Sequence, residues 1–402
     1  MKTKPHDLAA LGGPPLFAQP LHVGRPNIPN AERVLARIGG ALERGWLTND
    51  GPLVRELEQQ LADYLGVPHC VAMANGTVAL EVLARALDLA GQVIMPSFTF
   101  VATPHAFSWL NIKPVFCDVH AHTHTIDVAD LADRITARTS AIVAVHLWGS
   151  ACAVEELEAV AARHGLPLIY DAAHAFAASV NGRKVGSFGT AEVFSFHATK
   201  FFNTFEGGAV TTKDAALAAR LRLLRNFGFA GYDDVIDMGT NAKMSEAHAA
   251  MGLALFESLD ELLESNAATW SCYARALRAL PVLKLLQPAE GHRSNHQYVV
   301  CEVDADAPLT RDQLLNVLWQ ENVRARRYFF PGCHRTAPYQ QDKATLPVTE
   351  ALADRVLVLP AGATITAHEV EAVVGLLHMA LDQAGELKAK LPAHLPPGAF
   401  KA

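Results

Sequence analysis

The 402-residue chain lacks an excess of basic charge. Its 34 lysines and arginines stand against 41 acidic residues, a formal net charge of −7. With no basic footprint, proteins that bind nucleic acid by neutralising phosphates are excluded. It also lacks any stretch approaching the ~18 uninterrupted apolar residues of a membrane span. The opening MKTKPHDLAALGGPPLF has no adequate apolar segment before its GGPP breaker, so no secretory leader is expected. Its six cysteines (Cys70, Cys117, Cys152, Cys272, Cys301, Cys333) form no CxxC pair. That scatter fits reduced, mostly buried thiols of a cytoplasmic protein. A strand–GxGxxG–helix unit, a Walker A sequence and an HExxH pair are all missing, which argues against a nicotinamide oxidoreductase, a P-loop NTPase and a zinc hydrolase.

What is present is a large potential core: 50% of residues are hydrophobic and only 19% charged. From residue 69 short apolar runs alternate with longer helical patterns. HCVAMA (69–74), QVIMP (92–96), PVFCD (114–118), AIVAVHLW (141–148), PLIYD (167–171), AEVFSF (191–196) and GGAVTT (207–212) read as strands. Continuous rather than alternating strands separated by helices predict an α/β fold with a mainly parallel sheet covered on both faces. Near residue 243 the pattern changes to one long helix, KMSEAHAAMGLALFESLDELLESNAATW, and then to a smaller α/β domain. The expected organisation is an N-terminal extension (1–20), a large domain (21–265), a small domain (266–386) and a poorly ordered proline-rich tail (387–402).

Chemistry concentrates where the strands end. Lys200 sits among Phe194, Phe196, Phe201, Phe202 and Phe205; an ammonium in such surroundings is usually paired, neutralised or chemically employed. Asp171 ends PLIYD, and Asn75-Gly76-Thr77 separates a strand from a helix whose free N–H groups attract phosphate. Ser195 lies five residues before Lys200. A lysine, a carboxylate and a phosphate cradle together suit pyridoxal 5'-phosphate. Taken singly each has a structural reading: a snorkelling lysine, a helix-capping aspartate, an ordinary turn. Their order along the chain carries the weight.

SFHATK with FEGG, DAAHA, the NGT turn, PSFTFVAT, GWLTNDGPLVRELE and NAKMSEAHAAMG resemble the DegT/DnrJ/EryC1/StrS sugar aminotransferases, from about residue 20 to 385 in consistent order. The resemblance implies the PLP-dependent transferase fold type I. VGRPN, WLTNDGP, QVIMPS, NFGF, NHQYVV and YFFPGCH look like the branch that aminates dTDP-4-keto-6-deoxyglucose at C4. It implies that Lys200 holds the cofactor as an imine and moves the proton, while Asp171 pairs with the pyridinium nitrogen. His174 would sit beside the ring oxygen and Phe100 would stack on the ring. Gly76, Thr77 and Ser195 would bind the phosphate. Asn241 would reach the phosphate of the neighbouring subunit, implying a homodimer with shared active sites. L-glutamate would be the amino donor, leaving pyridoxamine 5'-phosphate, and a nucleotide-linked keto-sugar the acceptor. Thr48 and Trp148 are candidates for the sugar pocket; Arg327, Tyr328 and His334, in RARRYFFPGCH, suit a diphosphate or a carboxylate. The three alternating histidines of HAHTH (120–124) fall where the family has a solvent-exposed loop, and no metal site is expected there. The alternatives are a 3-keto nucleotide sugar or keto-cyclitol as acceptor, or a non-enzymatic regulator on the same fold.

Overall fold

The computed structural model describes residues 2, 4–28 and 30–400. The chain divides into two compact units, one made of 26–261 and 288–295, the other of 1–25, 262–287 and 296–402.

The first unit is built on a seven-stranded sheet. Its strands are β1 His69–Met73, β2 Gln92–Pro96, β3 Lys113–Cys117, β4 Thr139–Val145, β5 Leu168–Asp171, β6 Ala191–Ser195 and β7 Gly208–Thr212, in the spatial order β1-β7-β6-β5-β4-β2-β3. Six run parallel; β7 alone runs against its neighbours β1 and β6. Strands such as LIYD are buried along their whole length, as a sheet covered on both faces requires. Because these six strands run parallel, their C-termini lie along one edge. The antiparallel β7 begins there too, since Gly208 pairs with both Met73 and Ser195.

Helix α1 spans Ala31–Arg44 and α2 Pro52–Leu65; α3 (Gly76–Ala86), α4 (Ala102–Trp109), α5 (Val128–Arg134), α6 (Val154–His164) and α7 (Ala215–Arg225) accompany the sheet. The long helix expected from residue 243 is two helices, α8 Glu246–Phe256 and α9 Leu259–Ala276. The break falls at Glu257, whose carboxylate binds Arg33 and Arg37 of α1. Helix α8 is buried from Ala249 to Leu255, apolar on every side. Its Glu246 is fully buried because it caps α2: its oxygens accept from Leu53 N at 3.0 Å and Val54 N at 2.9 Å, where the helix N-cap is a glycine with no side chain to offer.

In the second unit, β8 Leu283–Leu285, β9 Val299–Val303 and β10 Val356–Leu359 form an antiparallel sheet, with α10 (Arg311–Gln320), α11 (Pro347–Arg355), α12 (Ala367–Asp382) and α13 (Ala384–Lys390). The two ends of the chain depart from expectation. The first residues are part of this unit rather than an extension. Leu8 and Leu21 are buried in its core, and the buried Glu321 gathers Lys2 Nζ (2.8 Å), Ala9 N and Leu16 N (both 2.7 Å). The tail is not loose up to residue 400: Leu387 is buried, Asp312 accepts from Leu395 N at 2.7 Å, and Phe400 packs on Trp319 at 4.5 Å. Proline-rich composition pointed to disorder; a carboxylate and an indole supply the anchors that composition does not reveal.

Candidate active site

The site forms at the edge of the large sheet where β1, β6 and β7 meet. Asn75 caps α3, its Oδ1 accepting from Val78 N at 2.8 Å, so the first turn's remaining N–H groups stay available. A Cβ on Gly76 would stand 3.0 Å from Ser195 Cβ, and one on Gly208 only 2.7 Å from Phe194 O. Glycine is needed at both positions for three chain segments to close this tightly. Gly76, Thr77 and Ser195 are half-buried around the resulting cradle, as an anion-binding pocket needs.

Asp171, at the end of β5, is buried. Thr103 Oγ1 donates to its Oδ2 at 2.7 Å and Ala173 N to its Oδ1 at 3.1 Å. Burial pushes the carboxyl above its usual range, opposed by those two donors and then by the positive charge of Lys200. His174 is also buried. Desolvation and the Lys200 charge hold its imidazole well below the usual value, which keeps it neutral. Lys200 therefore acts on both residues at once, and the structure brings the three together. The half-buried Lys200 follows a turn in which its own N–H donates to His197 O at 2.8 Å.

The phenylalanines flanking Lys200 do something other than wall it in. Phe194, Phe196, Phe201 and Phe202 are at most 4% exposed and cluster around Phe176, with ring centroids 4.6 to 6.2 Å from it. They are a floor beneath the loop, while Phe205 is exposed. Alternating burial explains the pattern: the aromatic positions face the core and the lysine faces the edge.

The remaining candidates scatter. Phe100 precedes α4 and is 57% exposed. Asn241 is exposed, its backbone bridged to Asn226. Thr48 is exposed on the loop before α2, its carbonyl accepting from Trp46 Nε1. Trp148 is buried, donating to His124 Nδ1 at 3.1 Å and lying 6.0 Å from His174. His124 is consequently fully buried, so only His120 and His122 of HAHTH are on the surface. Arg327, Tyr328 and His334 belong to the second unit. Arg327 Nη1 donates to Asp312 Oδ2 at 3.1 Å and to Leu395 O at 2.7 Å; His334 Nε2 lies 3.3 Å from Glu350 Oε1; Tyr328 packs on Tyr298 and Phe329. Among the described residues no cluster of His, Cys, Asp or Glu could hold a metal.

Four residues of the site were not singled out from sequence. Thr103 is one. Asn295 is another, its Nδ2 donating to the carbonyls of His174 and Phe176 at 2.9 Å each and so holding the DAAHAF loop. The last two are a buried pair behind Asp171: His146 accepts from Cys152 N at Nδ1 (2.9 Å), so its Nε2 carries the proton toward Glu192 Oε2 at 3.1 Å. Thr103 and Asn295 lie inside motifs already quoted, but a hydroxyl or amide aimed at a distant loop leaves no periodic signal.

The edge can hold a phosphorylated pyridine. The glycine-lined cradle would suit the phosphate, the buried acid the ring nitrogen, and the lysine, within electrostatic reach of that acid, the aldehyde. Comparison with known proteins agrees. Residues 30–378 match the DegT/DnrJ/EryC1/StrS aminotransferase family. The chain is 34% identical over 361 residues to a dTDP-4-amino-4,6-dideoxy-D-glucose transaminase of Shigella dysenteriae, spanning 89% of this chain and 98% of that one. It is also 34% identical over 348 residues to a GDP-perosamine synthase of Caulobacter vibrioides, spanning 85% and 93%. Among solved structures, DesI in the presence of its TDP-sugar product is similar at 48% identity and a TM-score of 0.93, covering 96% of this chain and 99% of DesI.

Proposed function

As the chain belongs to the DegT/DnrJ/EryC1/StrS aminotransferase family and is a PLP-dependent aminotransferase of fold type I, we propose that it moves an amino group from L-glutamate to C4 of a nucleotide-linked 4-keto-6-deoxy sugar. The observation that carries the reading is the convergence of Lys200, Asp171 and His174 at the sheet edge beside the Gly76–Ser195 cradle. The sugar and its nucleotide rest on likeness to proteins named for dTDP-4-amino-4,6-dideoxyglucose and to a structure holding a TDP-sugar product. The equal identity to a GDP-perosamine synthase supports a second reading in which the nucleotide is guanosine.

When bound, the cofactor supplies an aldehyde and an electron-withdrawing ring. Lys200 Nζ would be the amine that holds the cofactor by its aldehyde and the base at hand to move a proton beside it. Asp171 would hold the ring nitrogen and favour its protonated form. The neutral His174 donates or accepts a hydrogen bond at the ring's oxygen without adding charge. Gly76, Thr77 and Ser195 retain the phosphate with several donors, since a helix terminus alone contributes only about 0.3–1 kcal/mol.

A second copy of the chain completes the site in this reading. Phe227, Phe229, Tyr232, Val235, Ile236 and Met238 are between 39% and 103% exposed on the segment leading to the exposed Asn241. A water-facing apolar run of this kind marks an association surface, and it supports Asn241 reaching a partner's phosphate. Incubating the purified enzyme with glutamate and a panel of dTDP- and GDP-linked keto-sugars, then locating the new amine by NMR, tests the substrate. Amination at C4 of a 4-keto-6-deoxy sugar is expected; amination at C3, or of a cyclitol only, overturns the proposal.

A further inference from the structure

The PSFTFVAT segment carries Phe100 and leads into α4. Its two threonines face away from solvent: Thr99 is 2% exposed and Thr103 fully buried. One turn apart, they lie with their hydroxyl oxygens at 2.9 Å, and Thr103 Oγ1 is 2.7 Å from Asp171 Oδ2. An ionised carboxylate can only accept, so the single hydrogen of Thr103 goes to Asp171. Thr103 must then accept from Thr99, which fixes the direction of a chain running Thr99 to Thr103 to Asp171.

We propose that Thr103, backed by Thr99, is a positioning residue that keeps the proton on the cofactor's ring nitrogen by holding Asp171 as an anion, and that the same chain ties the Phe100 loop to that acid. The inference rests on the reading of Asp171 given above. Burial favours the neutral carboxylic acid. Were the acid to take the ring's proton, the ring would lose its power to withdraw electrons. Of the donors to the carboxylate, Ala173 N belongs to the same loop and follows the acid wherever it moves. Thr103 comes from α4, a separate element, and so fixes the carboxylate's place as well as its charge. An incoming cation thus finds an acid already oriented by two neutral donors, Thr103 Oγ1 and Ala173 N.

The test uses holoenzyme loaded with cofactor labelled with ¹⁵N at the ring position. In Thr103→Val, nearly isosteric, the ring-nitrogen resonance is expected to move toward that of an unprotonated pyridine. The single-turnover half-reaction with glutamate is expected to slow about tenfold, the loss of one hydrogen bond to a charged group, with KM for glutamate unchanged. Thr103→Ser is expected to restore both. Thr99→Val, which removes only the outer donor, should shift the resonance the same way by less, and it carries the test should Thr103→Val not fold. A wild-type resonance in the Val variants overturns the inference, even if stability falls. Failure of the unmodified protein to take up the cofactor would instead sink the functional reading beneath it.

Discussion

Two buried carboxylates in the same unit are treated in opposite ways. Glu58, on α2, is surrounded by cations. Arg225 Nη1 reaches its Oε1 and Arg222 Nη2 its Oε2, both at 2.6 Å, while Ala72 N donates at 2.8 Å. Arg225 goes on to Ala72 O, so this network closes the outer edge of β1, which no further strand covers. Asp171 sits at the other kind of edge, where the strands end. Its bonded donors are neutral, a hydroxyl and an amide, and burial leaves its carboxyl pushed up. Glu58 is matched by cations inside the chain, as Asp312 is again between Arg311 and Arg327 in the second unit. In the proposed reading of Asp171, the place of the partner cation is left to the cofactor.

Replacing a residue on either side should break different things. The largest effect belongs to Lys200→Ala. Amino transfer is expected to fall by roughly four orders of magnitude or more, and borohydride should no longer fix the cofactor to the protein. The melting temperature should hardly change, since the side chain is half-buried at the sheet edge and not part of the buried core. Retained turnover would remove Lys200 from the mechanism. Next in size is Glu58→Ala, which takes from the buried Arg225 its closer anion and leaves only Asp50 Oδ1, 3.3 Å from its Nη2. About 3–5 kcal/mol of stability should be lost, read by denaturant unfolding, with cofactor absorbance per folded molecule preserved. A loss under about 1 kcal/mol would mean that the network behaves like an exposed surface pair.

The same contrast explains what could be seen in the sequence. Strands such as PLIYD and AEVFSF were legible because burial on both faces writes a continuous apolar run, and Asp171 and Lys200 stand out at its ends. The phenylalanines around Lys200 were visible too, but their direction was not. A run of aromatics reads the same whether it walls a pocket or floors it. Glu58, Glu246 and Glu321 were invisible as organisers, because each acts on backbone or side chains more than a dozen residues away. The same distance hid the placement of the chain's first residues: Leu8 is one apolar residue among many until Glu321 collects the N–H groups beside it.

The smallest effect, and the sharpest contrast with Glu58, is expected for Asp171→Asn in the cofactor-stripped protein. An acid whose folded pKa is raised above its unfolded value binds its proton more tightly when folded. Its penalty is therefore absent below the unfolded pKa and grows as pH rises through the folded pKa. Asparagine never ionises and escapes it. The amide can also fit the existing partners: its oxygen can accept from Ala173 N, while its nitrogen donates to Thr103 Oγ1, which turns its own hydrogen back toward Thr99. The variant should thus match or exceed the wild type in melting temperature at pH 7, and this relative gain should vanish near pH 3, where both side chains are neutral. Glu58→Ala should lose stability at pH 7, where its carboxylate is charged and paired. A marked loss at pH 7 in Asp171→Asn would show that Asp171 belongs with the structural acids after all.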